Sequence, residues 1–296
     1  MRKQMKHIGL KACIWLLLLA MVCQAVCLAG CGDGETETGL DETGATPSTP
    51  STGKKQIAFT FDDGPHAPIE DRDEGIYPYT TYILDEVERL RGVGYNVGVT
   101  FFVVGSRARS YPWALRRALS LGCEIGSHTY DHDSFREESQ AFIADTLGRA
   151  SDAIQTAGAP KPYLYRPVGG SVTPDQLRYT ASLGYTAVAW SIDTEDWNGH
   201  PSTADKYSDD PNRRAAYEAF VEQKVQLILA QASDGDIILL HDIYMSSVDI
   251  FLRASDELIR QGYELVTVSQ LLGLTASSTP ATEMYIARGQ TISSMG

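Results

Sequence analysis

Ile57-Ala58-Phe59-Thr60-Phe61-Asp62-Asp63-Gly64-Pro65 is a β-prone apolar run that stops abruptly in two carboxylates and a turn. The same passage from apolar run to short polar cluster recurs at Ser127-His128-Thr129-Tyr130-Asp131-His132, Arg166-Pro167-Val168-Gly169, Asp193-Thr194-Glu195-Asp196-Trp197 and Leu239-Leu240-His241-Asp242. Strand-like runs at Ile57–Phe61, Val97–Val104, Glu124–Gly126, Tyr163–Tyr165, Thr186–Trp190, Asp236–Leu240 and Glu264–Val268 alternate with helical spacing over 80–91, 109–121, 135–157, 174–183, 212–232 and 247–261. Such alternation implies parallel strands joined by helical crossovers. A doubly wound sheet gathers its site at one switch point, whereas here the polar clusters close several different strands. Barrels assemble their sites at the C-terminal ends of their strands, so the pattern predicts an α/β fold of the (β/α) barrel kind.

Helix starts are expected at Ser134, with Glu137 three residues on, and at Thr173, with Pro174 in the first turn and Gln176 three residues on. Two stretches, Ile69–Pro78 and Asn198–Pro211, interrupt the compact pattern just after functional strand ends. Each reads equally as the wall of a groove or as a solvated loop. The tail from Thr275 to Gly296 receives no assignment.

The first thirty residues carry Arg2, Lys3, Lys6 and Lys11, no acid, an apolar run from Ala12 to Cys23, and then Leu28-Ala29-Gly30-Cys31. This is export-signal architecture, and its last four residues match the bacterial lipobox, in which the cysteine is diacylated and becomes the first residue of the mature chain. An ordinary signal peptide or an uncleaved membrane helix is the alternative. Residues 31–54 are rich in Gly, Thr, Ser, Pro and acids and too poor in apolar side chains to fold, so they read as a flexible tether. Only Cys31 and Cys123 would survive cleavage, which excludes a disulfide framework if Cys31 is acylated, and Cys123 reads as a small buried residue. Loss of the four leader cations takes the net charge from −13 to −17, which disfavours nucleic acid and anionic lipid headgroups as partners.

His128 and His132 are spaced to share one side of a turn or helix, and an aspartate from another strand would complete a three-ligand set. Two nitrogens, one carboxylate and open positions suit a hydrolytic Zn²⁺, and Co²⁺ or another divalent ion fits the same donors. Asp62 and Asp63 would repel one another on a bare loop, so their pairing calls for a cation nearby, and a metal on one leaves the other free as a base.

In this order, on these apolar runs, the clusters resemble the polysaccharide deacetylases of carbohydrate esterase family four, the nodulation-protein-B homology domain. The resemblance covers roughly residues 55 to 272 and implies a catalytic domain over 55–274, folded as a distorted barrel of seven or eight parallel strands. It implies Asp63, His128 and His132 as metal ligands, Asp62 as general base, and Arg166 holding that base, its guanidinium able to grip a carboxylate in bidentate fashion. His241 would be the general acid that protonates the departing amine, oriented and raised in pKa by Asp196. The Gly169 N–H would donate to the oxyanion, and Trp197 would offer an apolar face to the acetyl methyl or a sugar ring. Asp193 reads as a turn or cap residue. The chain departs from the family pattern at Val168 and Asp133, where prolines are usual, and at Gly169, where an aromatic is usual. Those departures point to a looser groove and an altered loop angle beside a retained metal site.

The expected protein is therefore a lipid-anchored, extracytoplasmic hydrolase removing N-acetyl groups from an acetylated glycan, peptidoglycan N-acetylglucosamine before others, with no obligate protein partner. An O-acetyl esterase on xylan-like glycans and a glycan-binding lipoprotein without turnover are the alternatives.

Overall fold

In the computed structural model, which describes residues 53–66 and 79–295, the chain runs β1 (Lys55–Asp62), α1 (Tyr79–Gly92), β2 (Thr100–Val103), α2 (Gly105–Ser110), α3 (Pro112–Ser120), β3 (Glu124–Ser127), α4 (Gln140–Thr156) and β4 (Leu164–Tyr165). It continues through α5 (Pro174–Ser182), β5 (Thr186–Ala187), β6 (Ile192–Asp193), α6 (Thr203–Lys206), α7 (Pro211–Gln231), β7 (Ile237–His241), α8 (Met245–Arg260), β8 (Tyr263–Leu265), α9 (Val268–Leu272), β9 (Met284–Ala287) and β10 (Gln290–Ile292). The expected leader, Cys31, all but the last residues of the tether, and the stretch 69–78 lie outside the described residues.

Seven parallel strands form a curled sheet in the order β5-β4-β3-β2-β1-β7-β6, and β8 pairs in parallel with Lys55–Ile57 at the start of β1. No ladder joins β5 to β6 among the described residues, so the barrel is open there, as the expected distortion requires. The run Thr186–Trp190 is not one strand. β5 ends at Ala187, and the chain then crosses the opening to pair Ile192 and Asp193 with β7. The unassigned tail supplies cover at the gap. Val188 bridges to Tyr285, the Ala189 N–H donates to the Tyr285 carbonyl at 2.7 Å, Asp236 bridges to Ala287, and Met284 is fully buried.

Period-2 alternation decides which side chains enter the barrel. On β1, Ile57, Phe59 and Phe61 belong to the core under the helices, where Phe61 stacks on Phe101 and meets Phe251 edge-on at 5.3 Å in each case. Ala58 instead joins Phe102, Leu164 and Ile237 in a separate apolar cluster. Continuing that inward set by steps of two brings Thr60 and Asp62 of β1, Arg166 after Leu164, and Leu239 and His241 of β7 to the same interior. Sequence and pleat together thus aim the acid, the base and the clamp at one point.

Two helix expectations are corrected. The helix read over 109–121 is α3, which starts only at Pro112: Arg109 and Ser110 close α2 instead, and Pro112, with no N–H to continue that helix, opens the next. The helix read over 135–157 starts at Gln140, capped by Ser139 Oγ accepting from the Phe142 N–H at 3.2 Å. Ser134 accepts from the Arg136 N–H in a turn that carries Glu137 at positive φ. The Thr173–Gln176 capping box forms as expected. Cys123 is free and buried, and burial pushes its thiol up to about 11.

Candidate active site

The ends of the strands stand level. Asp62 on β1 is in register with His241 on β7, and Ser127, which precedes His128, is in register with Tyr165, which precedes Arg166. Above them opens a cavity of ≈ 370 Å³ lined by Asp62, Asp63, His128, His132, Gly169, Trp197 and His241, with Trp190, Leu239 and Tyr244 completing its walls. Arg166 and Asp196 are buried behind it. The structure therefore brings together every site residue expected of the described chain.

Asp63, His128 and His132 present one donor atom each, all within 4.8 Å of one another. Asp63 Oδ1 lies 3.1 Å from His132 Nε2 and 3.5 Å from His128 Nε2, yet it is buried and makes no well-aligned hydrogen bond to either. Three donors converging on one point, with the buried Asp63 oxygen left without a hydrogen bond, is the arrangement a divalent cation satisfies. The tautomer agrees with this: His128 Nδ1–H donates to the Arg166 carbonyl at 2.9 Å, which leaves Nε2 as the free lone pair, and burial holds this imidazole below its usual pKa, hence neutral. The His132 ring is raised by the Asp63 carboxylate against it. Burial works to raise Asp63, but the His132 ring against it, with help from the charge of His241, holds it well below the usual carboxylate range.

The two histidines do not sit on a helix. Thr129 and His132 both take positive φ, and the loop is tied by hydrogen bonds from the Asp133 N–H to Thr129 Oγ1 at 2.7 Å and from the Tyr130 N–H to Thr146 Oγ1 at 3.0 Å. Asp133, in the place of the usual proline, fixes the loop by other means. Its carboxylate accepts from the Asp131 N–H and from the Thr146 hydroxyl.

Arg166 is fully buried, with its guanidinium 4.2 Å from the Phe102 ring centroid. Its Nη1 donates to Asp62 Oδ1 and to Thr60 Oγ1, each at 2.8 Å, Nη2 to the Ala189 carbonyl at 2.7 Å, and Nε to the Val188 carbonyl at 3.2 Å. The grip on Asp62 is thus through one nitrogen rather than two, because the other donors are engaged by backbone carbonyls beyond β5. Asp62 Oδ2 is left facing the ligand set, 3.8 Å from His128 Nε2.

Across the cavity, Asp196 Oδ1 accepts from His241 Nδ1 at 2.8 Å, and Oδ2 accepts from the His241 N–H at 2.8 Å and from Ser247 Oγ at 2.5 Å. Burial alone would depress the His241 pKa, but the Asp196 carboxylate outweighs it, with smaller help from Asp62 and Asp63, and pushes it up to about 9. Asp193 Oδ1 accepts from the Glu195 N–H at 2.9 Å, the turn role expected of it. Gly169 takes φ 61 in a tight turn over Val168–Gly170, and its N–H has no partner among the described residues. Among the described residues, apart from its two chain neighbours, no heavy atom lies within 4 Å of where a Cβ would stand there, so the groove is open where the family pattern has an aromatic.

The sequence reading missed the second layer. Thr60 and Ser247 hold Arg166 and Asp196, and both sit inside or beside quoted clusters, so inward periodicity would have found the first. Asp242 is buried, accepts from the Thr80 hydroxyl, and is pushed up to about 7 by burial. Gly64 exists for its sake: a Cβ there would stand 2.0 Å from Asp242 Oδ2.

Comparison with known proteins agrees with this geometry. A profile of the polysaccharide deacetylase family matches residues 49–188. The peptidoglycan-N-acetylmuramic acid deacetylase PdaC of Bacillus subtilis is 35% identical over 223 residues, 74% of this chain and 39% of PdaC. Its solved structure is 32% identical, with TM-score 0.59 over 74% of this chain and 90% of the solved one. The peptidoglycan-N-acetylglucosamine deacetylase PgdA of Listeria monocytogenes is 32% identical over 219 residues, again 74% of this chain and 39% of the relative. The chain therefore spans about two fifths of the length of these curated relatives. A family 4 acetyl xylan esterase from Clostridium thermocellum, solved with a cobalt ion, is 26% identical with TM-score 0.60 over 79% of this chain and 98% of that one. Site, fold and likeness together place the chain in the polysaccharide deacetylase family.

Proposed function

We propose that this chain is a metal-dependent hydrolase that removes N-acetyl groups from a cell-wall polysaccharide, peptidoglycan N-acetylglucosamine first, and that it works outside the cytoplasm, anchored by a lipid on Cys31. The observation that carries the reading is the pairing of Asp62 and His241 at one register across a cavity floored by three converging metal donors.

A divalent cation held by Asp63, His128 and His132, Zn²⁺ before Co²⁺, would supply Lewis acidity to water and to the acetyl carbonyl. The chain's own groups divide the rest. Asp62, its Oδ1 occupied by Arg166, receives the proton of the attacking water on Oδ2. The free N–H of Gly169 donates to the oxyanion that forms on the carbonyl oxygen. His241, held protonated by Asp196 at Nδ1, gives its Nε2 proton to the amine nitrogen as the carbon–nitrogen bond breaks, leaving acetate and a free amino sugar. Trp197, 50% exposed at the rim, gives the acetyl methyl or the sugar an apolar face.

The test is acetate release from N-acetylated chitooligosaccharides and purified peptidoglycan, with chelator and with Zn²⁺ restored. Activity that chelator removes and metal restores supports the reading, as does an Asp62→Asn variant that binds metal but does not turn over. Turnover retained in that variant overturns the assignment of the base. The likeness to an acetyl xylan esterase favours O-deacetylation as the second reading, and acetate release from acetylated xylan alone would select it.

A further inference from the structure

The stretch Asn198–Pro211 could have been a solvated loop or a groove wall, and the structure ties it down at several points. Asp205 Oδ2 accepts from the Ser202 N–H and hydroxyl, both at 2.8 Å, and Asp205 Oδ1 accepts from Arg213 Nε at 2.6 Å. Thr203 Oγ1 meets the Tyr79 hydroxyl of α1 at 2.7 Å, and Lys206 Nζ meets Asp249 of α8 at 2.8 Å. At the head of the stretch His200 lies on Tyr244, the ring centroids 3.9 Å apart and the planes 28° from parallel. Tyr244 lines the catalytic cavity, and its ring centroid is 6.3 Å from that of His241.

The His200 imidazole is held by that stack, with no side-chain hydrogen bond to it among the described residues. Its Nδ1 is buried and has no hydrogen-bond partner among the described residues. A residue that leaves a ring nitrogen unsatisfied in order to lie flat on a tyrosine contributes through the tyrosine. Beside Gly169 the groove is open, and Tyr244, with Trp190 and Trp197, gives the cavity aromatic walls that can meet a sugar ring.

We infer that His200 is a positioning residue: it braces Tyr244 as a fixed wall of the glycan groove, and the stretch 198–211 thereby sets affinity for the sugar chain while leaving the hydrolytic chemistry untouched. The inference rests on the deacetylase reading above. It separates the acid and base, which act on any acetyl group, from a wall that only a sugar substrate feels.

The experiment compares the full-length metal-loaded protein with its His200→Ala and His200→Phe variants on N-acetylchitotetraose, acetylated xylan and para-nitrophenyl acetate. His200→Ala should raise KM on the glycan about fivefold, the scale of one aromatic pair, with kcat and para-nitrophenyl acetate hydrolysis within about twofold of the parent. His200→Phe, which keeps the stack and removes the unsatisfied nitrogen, should restore KM. An unchanged KM in His200→Ala, an equal loss of kcat on the glycan and the small ester, or a phenylalanine variant as poor as the alanine one would each overturn the inference. A parent protein silent on the chitooligosaccharide but active on xylan would overturn the N-deacetylase reading instead, and the KM comparison on xylan would still decide the role of His200.

Discussion

Replacing Asp196 by Asn should convert the site from one that works in alkaline solution to one that fails there. The carboxylate is the main reason His241 titrates at about 9 rather than at its ordinary 6.5. With the charge removed and the Nδ1–H bond retained by the amide oxygen, the imidazole falls back to that ordinary value or below it, because burial still favours the neutral ring. His241 acts in its protonated form, so activity is present below its pKa and lost as pH rises through it. At pH 8 a group with a pKa of 9 is about nine-tenths protonated and one of 6.5 about one-thirtieth, so kcat/KM should fall at least about thirtyfold. At pH 6 the parent is almost fully protonated and a variant ring at 6.5 would be mostly so, so the loss from titration should be much smaller than at pH 8. The amide also turns its N–H₂ toward the His241 N–H and Ser247, which now meet a donor where Asp196 Oδ2 accepted, at a stability cost of about 1–3 kcal/mol. The assay is acetate release from N-acetylchitotetraose between pH 5 and 10 at saturating metal, with folding checked by thermal melting at each pH. An alkaline limb at the same pH in variant and parent would refute the reasoning, because it would mean that Asp196 does not control the proton on His241.

Arg166→Met should cost roughly 3–5 kcal/mol in urea unfolding, since it strands Asp62 as a buried carboxylate without its donor, and Arg166→Lys should not rescue it, because one ammonium cannot serve Thr60, Asp62, Val188 and Ala189 together. Met284→Ala should lower the unfolding midpoint by the equivalent of roughly 2–5 kcal/mol, despite its place in an unassigned tail, because the side chain is fully buried over the barrel opening. Gly64→Ala should abolish activity and destabilise the fold, with loss of bound metal measured by elemental analysis, since its Cβ collides with Asp242 beside the Asp63 ligand. Cys31→Ser should release the protein from membrane pellets into the supernatant of fractionated cells, and retention in the pellet would remove the lipid anchor from the proposal.

What the sequence made legible were the places where chemistry and periodicity coincide. Asp62, His128, Arg166, Asp196 and His241 each follow an apolar run at a strand end, so the barrel and the ring of functional groups could be read from the same signal. Illegible were the features set by contacts distant in sequence. Nothing local announces that Arg166 spends two of its nitrogens on Val188 and Ala189, or that Thr186–Trp190 breaks at Ala187. Ser134 with Glu137 satisfied the local rule for a helix start, yet Ser139 took the cap because α4 must begin where Ile143 and Leu147 can reach the apolar cluster around Tyr165.

The break after Ala187 bears on how the site is held. Val188 and Ala189 lie past the paired part of β5, and their carbonyls are the ones that hold the Arg166 guanidinium in place for Asp62. Their register depends on the tail, since Val188 bridges to Tyr285 and the Ala189 N–H bonds the Tyr285 carbonyl. An ordinary closed barrel would fix these residues by pairing β5 with β6; here the hairpin of β9 and β10 substitutes for that ladder. The base is therefore coupled through one buried guanidinium to a strand near the C-terminus of the chain. A substitution that loosens the hairpin, such as Met284→Ala, should for this reason lower kcat on the small ester and the glycan alike, unlike His200→Ala, whose effect is confined to KM on sugars.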